Sequence, residues 1–190
     1  MQNDKLLIEK ILAGDKIAFQ SFVKKYQCLV THIVFRMISN REDREDTCQE
    51  VFMKIYQNLS SFRSESKPST WIAKIVYNTC LNYLEKRKLP LLDDLSFGEQ
   101  APESFSENNP RPDELTDERE LTFLLQAEIE KMPVHFRTIL TLYHLEGMSY
   151  NQIGKITGLP DGTVKSYLFR ARRLLKERLL AKYQPEDLCH

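Results

Sequence analysis

Apolar positions along this chain recur every three to four residues rather than every second one, and that spacing predicts helices nearly throughout. From Asp15, placed to cap a helix start, Phe19, Phe22, Val23, Tyr26, Leu29, Val30, Ile33 and Met37 follow one stripe over about six turns, which belongs in a bundle. A second helix follows the run NREDRED, with Cys48, Val51, Phe52, Ile55, Tyr56 and Leu59 on its apolar side. Its other side shows Asp46, Glu50 and Met53, flanked by Gln49. Residues 60–70, SSFRSESKPST, break the period and form a loop. A third helix buries Ile72, Ile75, Val76, Thr79 and Tyr83 while presenting Lys74, Tyr77, Asn78 and Leu81 on the opposite side.

The period is lost from Pro90 to Leu115, where Pro90, Pro102, Pro110 and Pro112 stand among acids and serines, the composition of a flexible linker. Its 26 residues reach roughly 90 Å at about 3.4 Å each, more than two turns of duplex at about 35 Å per turn. Beyond it Leu121, Leu124, Leu125, Ile129 and Met132 make one helix, Pro133 interrupts, and Phe136, Ile139, Leu140 and Tyr143 make another. Residues 149–179 then read as helix, tight turn, helix. Ser149 and Gln152 have capping-box spacing, Gly158 permits a sharp reversal, and Pro160 suits the first turn of the next helix. On that last helix Val164, Leu168, Ala171 and Leu175 form a core-facing stripe, and Lys165, Ser166, Phe169, Arg170, Arg173 and Lys176 lie opposite. The pattern is that of a helix-turn-helix whose second helix enters the major groove, with a solvated amphipathic helix as the plainer alternative. The expected fold is all-α: two small helical domains, residues 1–89 and 116–190, joined by an acidic flexible linker over 90–115.

The formal charge of zero conceals a partition. Residues 1–90 hold 15 Lys and Arg against 10 Asp and Glu, residues 91–130 hold 2 against 12, and residues 131–190 hold 10 against 5. Phosphate attraction follows local charge, so two basic ends around an acidic middle predict two nucleic-acid contacts in one chain. A hydrophobic fraction of 42% supports packed cores, no run approaches the roughly 20 apolar residues of a membrane span, and residues 1–10 lack a secretory apolar region. A cytoplasmic protein without membrane insertion is expected. Cys28, Cys48, Cys80 and Cys189 are scattered, as are His32, His135, His144 and His190, so neither a metal site nor a disulfide framework nor a catalytic group is expected.

The segment DREDTCQEVFMKIYQNLSSF, followed by STWIAKIVYNTCLNYLEKRK, resembles the second conserved region of bacterial sigma factors, and MPVHFRTILTLYHLEGMSYNQIGKITGLPDGTVKSYLFRARRLL resembles the fourth. With these two regions alone, in this order, the chain from about Lys10 to Lys182 is similar to the extracytoplasmic-function group of the sigma-70 family. The resemblance implies a promoter-specificity subunit without enzymatic activity or cofactor, whose partners are core RNA polymerase, duplex and single-stranded promoter DNA, and in many members an anti-sigma factor.

Residue by residue, it implies that Asp46, Gln49 and Glu50 dock on the clamp helices of the largest catalytic subunit of the polymerase, and exposed Met53 extends that face. Phe52 matches a docking position too, yet the helical wheel places it on the buried stripe, where it supports the surface. Phe62, Arg63, Lys67, Trp71, Lys74 and Asn78 fall within the elements that read and melt the minus-ten region, with aromatic faces and positive charge suited to an unstacked strand. Trp71 beside Ile72 reads equally as core. Thr163, Lys165, Ser166, Phe169 and Arg170 match positions facing the minus-thirty-five element, and Arg173 shares their face. Gly154 departs from the family, which usually carries a small methyl-bearing side chain there, and should cost the first helix about 1 kcal/mol. The resemblance implies that the acidic linker threads the polymerase channel later taken by nascent RNA, where its charge is consistent with imitating a polyanion, with a plain tether as the alternative. The main rival is a one-component helix-turn-helix regulator that binds operator DNA without polymerase; a metal-dependent nuclease is a distant third.

Overall fold

The computed structural model describes residues 2–87 and 117–183, which are helical with no strand among them. The N-terminal half holds α1 (Gln2–Leu12), α2 (Lys16–Met37), α3 (Arg41–Asn58), a short 3₁₀ turn at Leu59–Ser61, and α4 (Pro68–Lys86). The C-terminal half holds α5 (Asp117–Glu130), α6 (Val134–Leu140), α7 (Tyr150–Thr157) and α8 (Asp161–Lys182). The linker of residues 90–115, the side chain of Leu121, and Cys189 and His190 lie outside the described residues.

Local chemistry sets the helix starts. The Asp15 carboxylate accepts from the Ile17 and Ala18 amides at 2.9 and 3.0 Å, as its position predicted. Asn40 does the same for α3, accepting from Glu42 at 2.9 Å, and Pro68 opens α4, where a missing N–H costs nothing. From α2, Phe22, Tyr26, Leu29, Val30, Ile33 and Met37 are buried. They meet Val51, Ile55 and Leu59 along the α3 stripe and Ile72, Val76 and Thr79 of α4, while Phe19, Val23, Cys48, Phe52, Ile75 and Tyr83 are half-buried. The thiol of Cys48 is pushed up to about 11 by burial and then by Glu45, which keeps it protonated and inert.

Three expectations need correction. Tyr56 was expected on the core stripe of α3 but is 53% exposed, because Ile55 and Leu59 take the buried positions at that end of the helix and Tyr56 is left at the rim, its ring edge-on to Phe19 at 4.9 Å. Tyr77 was expected on the free side of α4 but is only 4% exposed, and Leu81 is half-buried. The reason is a third neighbour: α4 packs on α2, on α3 and also on α7 of the other half. Pro160 precedes α8 as its cap rather than occupying its first turn, with its carbonyl accepting from Val164 N–H at 3.0 Å. Helix α1 was not foreseen; it buries Ile8 and Ile11, and Asp4 takes the Tyr26 hydroxyl at 2.9 Å and pairs with Lys25.

In the C-terminal half Met132, Phe136, Ile139, Leu140, Ile153, Ile156, Val164, Leu168 and Ala171 form the core, while Leu124, Leu125, Ile129, Tyr143 and Leu175 are half-buried. Helix α6 widens into a π-helical segment over Thr141–Leu145, a register change that periodicity does not reveal. The end of α8 is tied back to α5 by Glu128, 1% exposed, which accepts from Lys131 at 2.9 Å and Lys182 at 2.8 Å. The halves meet where α7 rests on α4 and α6 on α2. Gln152 donates to the Thr70 hydroxyl at 3.0 Å, the His32 Nδ1 and a Glu146 carboxylate oxygen lie 2.6 Å apart, and Arg36 faces Glu130 at 3.7 Å.

Burial acts to raise the Glu128 carboxyl, but the bonds from Lys182 and Lys131 outweigh it and hold the group below its ordinary value. A carboxyl lowered in the folded state contributes stability that is present above the unfolded value and is lost as pH falls through the folded one. Glu128→Gln should therefore destabilise the chain by about 1 kcal/mol at neutral pH, discounting for partly exposed lysines. The gap to the native protein should close in thermal melts as pH drops below the ordinary carboxylate range. A gap that is unchanged at low pH would show that Glu128 acts through packing.

Candidate nucleic-acid interface

The reversal between α7 and α8 fixes the direction of the second helix. Ser149 and Gln152 form the reciprocal capping box: Gln152 N–H donates to the Ser149 hydroxyl at 3.3 Å, and Ser149 N–H donates to the Gln152 side-chain oxygen at 3.0 Å. Gly158 takes the left-handed conformation at φ 77° and donates to the Gly154 carbonyl at 2.8 Å, closing the helix end. Gly154 itself is buried in the angle of the turn, where a Cβ would lie 2.7 Å from the Leu159 carbonyl oxygen and 3.2 Å from an Asp161 carboxylate oxygen. This revises the sequence reading. The helix gives up propensity at Gly154, and in return the turn closes against its backbone.

On α8, Val164, Leu168 and Ala171 are at most 1% exposed, and the opposite side carries exposed Ser166, Arg170 and Arg173 with Phe169 at 68%. Thr163 is half-buried at the start of the same face, and exposed Lys176 continues it. Arg173 is engaged with Glu177 one turn on, at 2.7 Å. Lys165 lies on the flank, with its ammonium 5.4 Å from the Tyr150 ring centroid. Arg172 mirrors it over Tyr143 at 5.2 Å, and the two tyrosine rings stack at 5.3 Å. The sequence reading missed this aromatic plate; its signal was a Tyr on each side of the Ser149 cap.

The second surface lies on α4 and the loop before it. Arg63 and Lys67 are exposed, and Lys74 and Asn78 project one turn apart from the side of α4 that carries no core. Trp71 and Phe62 are each half-buried, with ring centroids 5.2 Å apart, so the two readings of Trp71 combine: one face packs and the other edge is open. That edge lines a groove of about 320 Å³ between α3 and α4, together with Lys54, Asn58, Ile75, Asn78 and Asn82. Asn58 and Asn82 were not singled out from sequence, although Trp71, Ile75, Asn78 and Asn82 fall on one helical line.

The third set lies on α3. Asp46, Gln49 and Glu50 are exposed, Met53 is 62% exposed, and Glu50 pairs with Lys54 at 2.7 Å. These side chains stand opposite Val51 and Ile55, which are fully buried. The acids nearest the α3 start, Glu42 and Asp43, serve the helix itself, and Asp43 also accepts from Tyr83 and Arg87 at 2.8 Å each. Among the described residues no cluster of His, Cys, Asp and Glu is placed to hold a metal ion, and no helix is long and apolar enough to cross a membrane.

Residues 22–89 match the Sigma-70 region 2 family and residues 122–175 the Sigma-70 region 4 family. The chain is 36% identical to the ECF RNA polymerase sigma-E factor of Haemophilus influenzae, over 93% of this chain and 95% of that one. It is 35% identical to the RNA polymerase sigma-H factor of Pseudomonas aeruginosa, over 94% of each chain. Among solved structures, CnrH in complex with the cytosolic domain of CnrY shares the fold at a TM-score of 0.67 and 17% identity, over 95% of this chain and 99% of that one. The sigma factor RpoE bound to the anti-sigma factor NepR, from Bartonella quintana, does so at 0.60 and 22%, over 86% and 99%. The two sigma-factor relatives thus match over more than nine-tenths of the chain. The chain belongs to the sigma-70 family, in its extracytoplasmic-function group, and is an RNA polymerase sigma factor.

Substituting Gly154→Ala sets about 1 kcal/mol of helix propensity against overpacking of about 1 to 3 kcal/mol, and the atom it meets is backbone, which yields least. The variant should lose about 1 kcal/mol in denaturant melts. A variant that gains stability would show that the turn relaxes freely.

Proposed function

We propose that the three exposed sets divide the work of initiation: α3 docks core polymerase, the α4 edge with its preceding loop holds the opened minus-ten strand, and α8 reads the minus-thirty-five duplex. The observation that carries this reading is the pairing of each set with a fully buried stripe on its own helix. Val51 and Ile55 underlie Asp46, Gln49, Glu50 and Met53; Ile72 and Val76 underlie Lys74 and Asn78; Val164 and Leu168 underlie Ser166, Phe169, Arg170 and Arg173. A rigid base lets an exposed side chain keep its aim.

The groove beside Trp71 suits one base lifted from the stack, since an aromatic edge offers stacking of about 1 to 3 kcal/mol and the Asn58, Asn78 and Asn82 amides offer both donors and acceptors to a base edge. Arg63 and Lys67 supply phosphate charge at its approach. On α8, Arg170 projects from the centre of the free face, whereas Lys165 on the flank suits backbone phosphate. Binding alone performs these steps, in the cytoplasm where polymerase and promoters are, and without covalent chemistry. The region 2 and region 4 division supports a two-domain reading at residues 1–89 and 116–190. An anti-sigma factor, such as the partner of the Bartonella quintana relative, is a further expected binder. A one-component regulator, the rival reading, leaves the acidic and apolar face of α3 without a use.

Reversing charge at Asp46 and Glu50 together should weaken core polymerase binding by tenfold or more while leaving the melting temperature nearly unchanged, because exposed substitutions alter stability by about 0.5 kcal/mol at most. Competition against a second sigma factor measures the affinity. Equal competition by the variant would remove α3 from the interface.

Arg170→Ala should relax preference at one upstream base pair by about 1 to 3 kcal/mol and leave strand opening intact. Lys67→Ala with Asn78→Ala should do the reverse. Permanganate reactivity of unpaired thymines, read beside protection of the upstream duplex, separates the steps. Loss of both steps in equal proportion by either variant would overturn the division of labour. Trp71 is left out of this pair because its packing on Phe62 would add a folding defect.

A further inference from the structure

The flank of α8 that turns toward α7 holds positive charge in place without neutralising it. Other cations meet carboxylates: Arg173 lies 2.7 Å from Glu177, Lys182 2.8 Å from Glu128 and Arg87 2.8 Å from Asp43. Lys165 and Arg172 meet aromatic faces instead, 5.4 Å from the Tyr150 ring centroid and 5.2 Å from that of Tyr143, and among the described residues neither pairs with a carboxylate. A ring holds a cation by its quadrupole and leaves the charge whole. The two rings brace each other, nearly parallel at 15°. Arg172 is also tied by its Nε, which donates to His144 Nε2 at 3.1 Å, and that nitrogen accepts only while the imidazole is neutral.

We infer that this flank is a track for the duplex backbone beside the reading face, and that His144 takes up a proton when a phosphate is seated on Arg172. The inference rests on the placement of α8 on duplex proposed above, and it gives Tyr143, His144 and Arg172 a use which that reading leaves open. Lys165 and Arg172 stand two turns apart, about 10 Å along the axis, and exposed Lys176 extends the line by a further turn. Exposed Phe169 lies between them and borders Ser166 and Arg170 of the reading face. An open row of cations suits a row of phosphates: a single small anion there would keep its water, whereas a duplex strand meets every cation at once and releases its counterions.

The groups around His144 set the direction of the proton. Arg172 approaches from α8, the Tyr143 ring stands edge-on at 5.0 Å with Tyr150 stacked behind it, and Glu146, the carboxylate nearest in sequence, is engaged by His32 at 2.6 Å. Burial and then Arg172 hold the imidazole below its ordinary value in the free chain. A phosphate within reach reverses the second cause, because its negative charge offsets the guanidinium and favours imidazolium. One proton then moves from solvent to Nε2, the Arg172–His144 hydrogen bond gives way, and both groups donate to phosphate oxygens. A group that holds its proton more tightly in the complex makes the complex tighter as pH falls. Duplex affinity should therefore rise on acidification through the range where histidine titrates.

Phosphate contact is independent of sequence, so a duplex of about 30 base pairs and arbitrary sequence serves as the probe, with the full chain at low salt. Between about pH 8 and about pH 5.5 the native chain should gain about fivefold more in affinity than His144→Gln, whose amide oxygen still accepts from Arg172 but takes no proton. Arg172→Ala should bind more weakly at both ends and lower the slope of log affinity against log salt by about one. The midpoint of the His144 ring titration, followed by nuclear magnetic resonance, should move upward when duplex is added. Both variants should melt near the native temperature, since these side chains are exposed. A midpoint that does not rise, a pH dependence shared equally by His144→Gln, or an unchanged salt slope in Arg172→Ala would each overturn the inference. A lower melting temperature with unchanged duplex affinity would do so too, by reducing the cluster to packing. Failure of the polymerase complex to protect any upstream promoter duplex would instead defeat the minus-thirty-five reading, while leaving proton uptake on arbitrary duplex standing.

Discussion

Helix α4 is the constraint on which the rest of the molecule depends, because one cylinder has to serve three neighbours and still leave an edge for a ligand. Ile72, Val76 and Thr79 close the core against α2 and α3, and Thr70 and Tyr77 turn toward the seam with α7. Only the line through Trp71, Lys74, Asn78 and Asn82 remains. A helix buried over so much of its surface has little freedom to roll, and that fixes the edge. The same packing makes α4 sensitive: a change that tilts it for the core also re-aims the groove and loosens the seam.

At the other end of the chain the comparable constraint is the angle between α7 and α8. Three features set it: the reciprocal cap at Ser149, the left-handed Gly158, and the bare backbone of Gly154 under the Leu159 carbonyl. None of them touches DNA in the reading proposed above. They determine where Arg170 points, since the free face of α8 is defined only relative to the side that Val164 and Leu168 bury.

Much of this was legible in the sequence, for reasons that also explain what was not. The stripes on α2, α3 and α8, the Asp15 cap and the Ser149 capping box are local properties, decided within a few residues by period and hydrogen-bond geometry. Tyr77, Tyr56 and Gly154 were misread because each depends on a partner remote in sequence or on the closeness of a turn. A tyrosine on the free side of a helix looks solvated until a helix some 75 residues away covers it, and a glycine looks like lost propensity until a carbonyl is found against it. The π-helical segment at Thr141–Leu145 and the paired aromatics Tyr143 and Tyr150 escaped for a related cause: a single-residue change of register leaves almost no trace in a hydrophobic pattern.

The charge partition takes on a sharper meaning beside the structure. Read along the chain, two basic ends and an acidic middle predict two nucleic-acid contacts, and nothing in that pattern says that the ends should adhere to each other. They repel on average, yet the halves pack, because specific polar contacts join them, Gln152 to Thr70 at 3.0 Å and His32 to Glu146 at 2.6 Å. Long-range repulsion set against short-range contacts leaves the packing of the halves dependent on those few contacts. Neutralising one end by binding lowers the repulsion it exerts on the other, so the order of engagement matters. Asp46, Gln49 and Glu50 stay exposed on α3, and Glu50 pairs with Lys54 at the rim of the α4 groove, so the acid-bearing face and one basic surface are neighbours whose charges are already coupled.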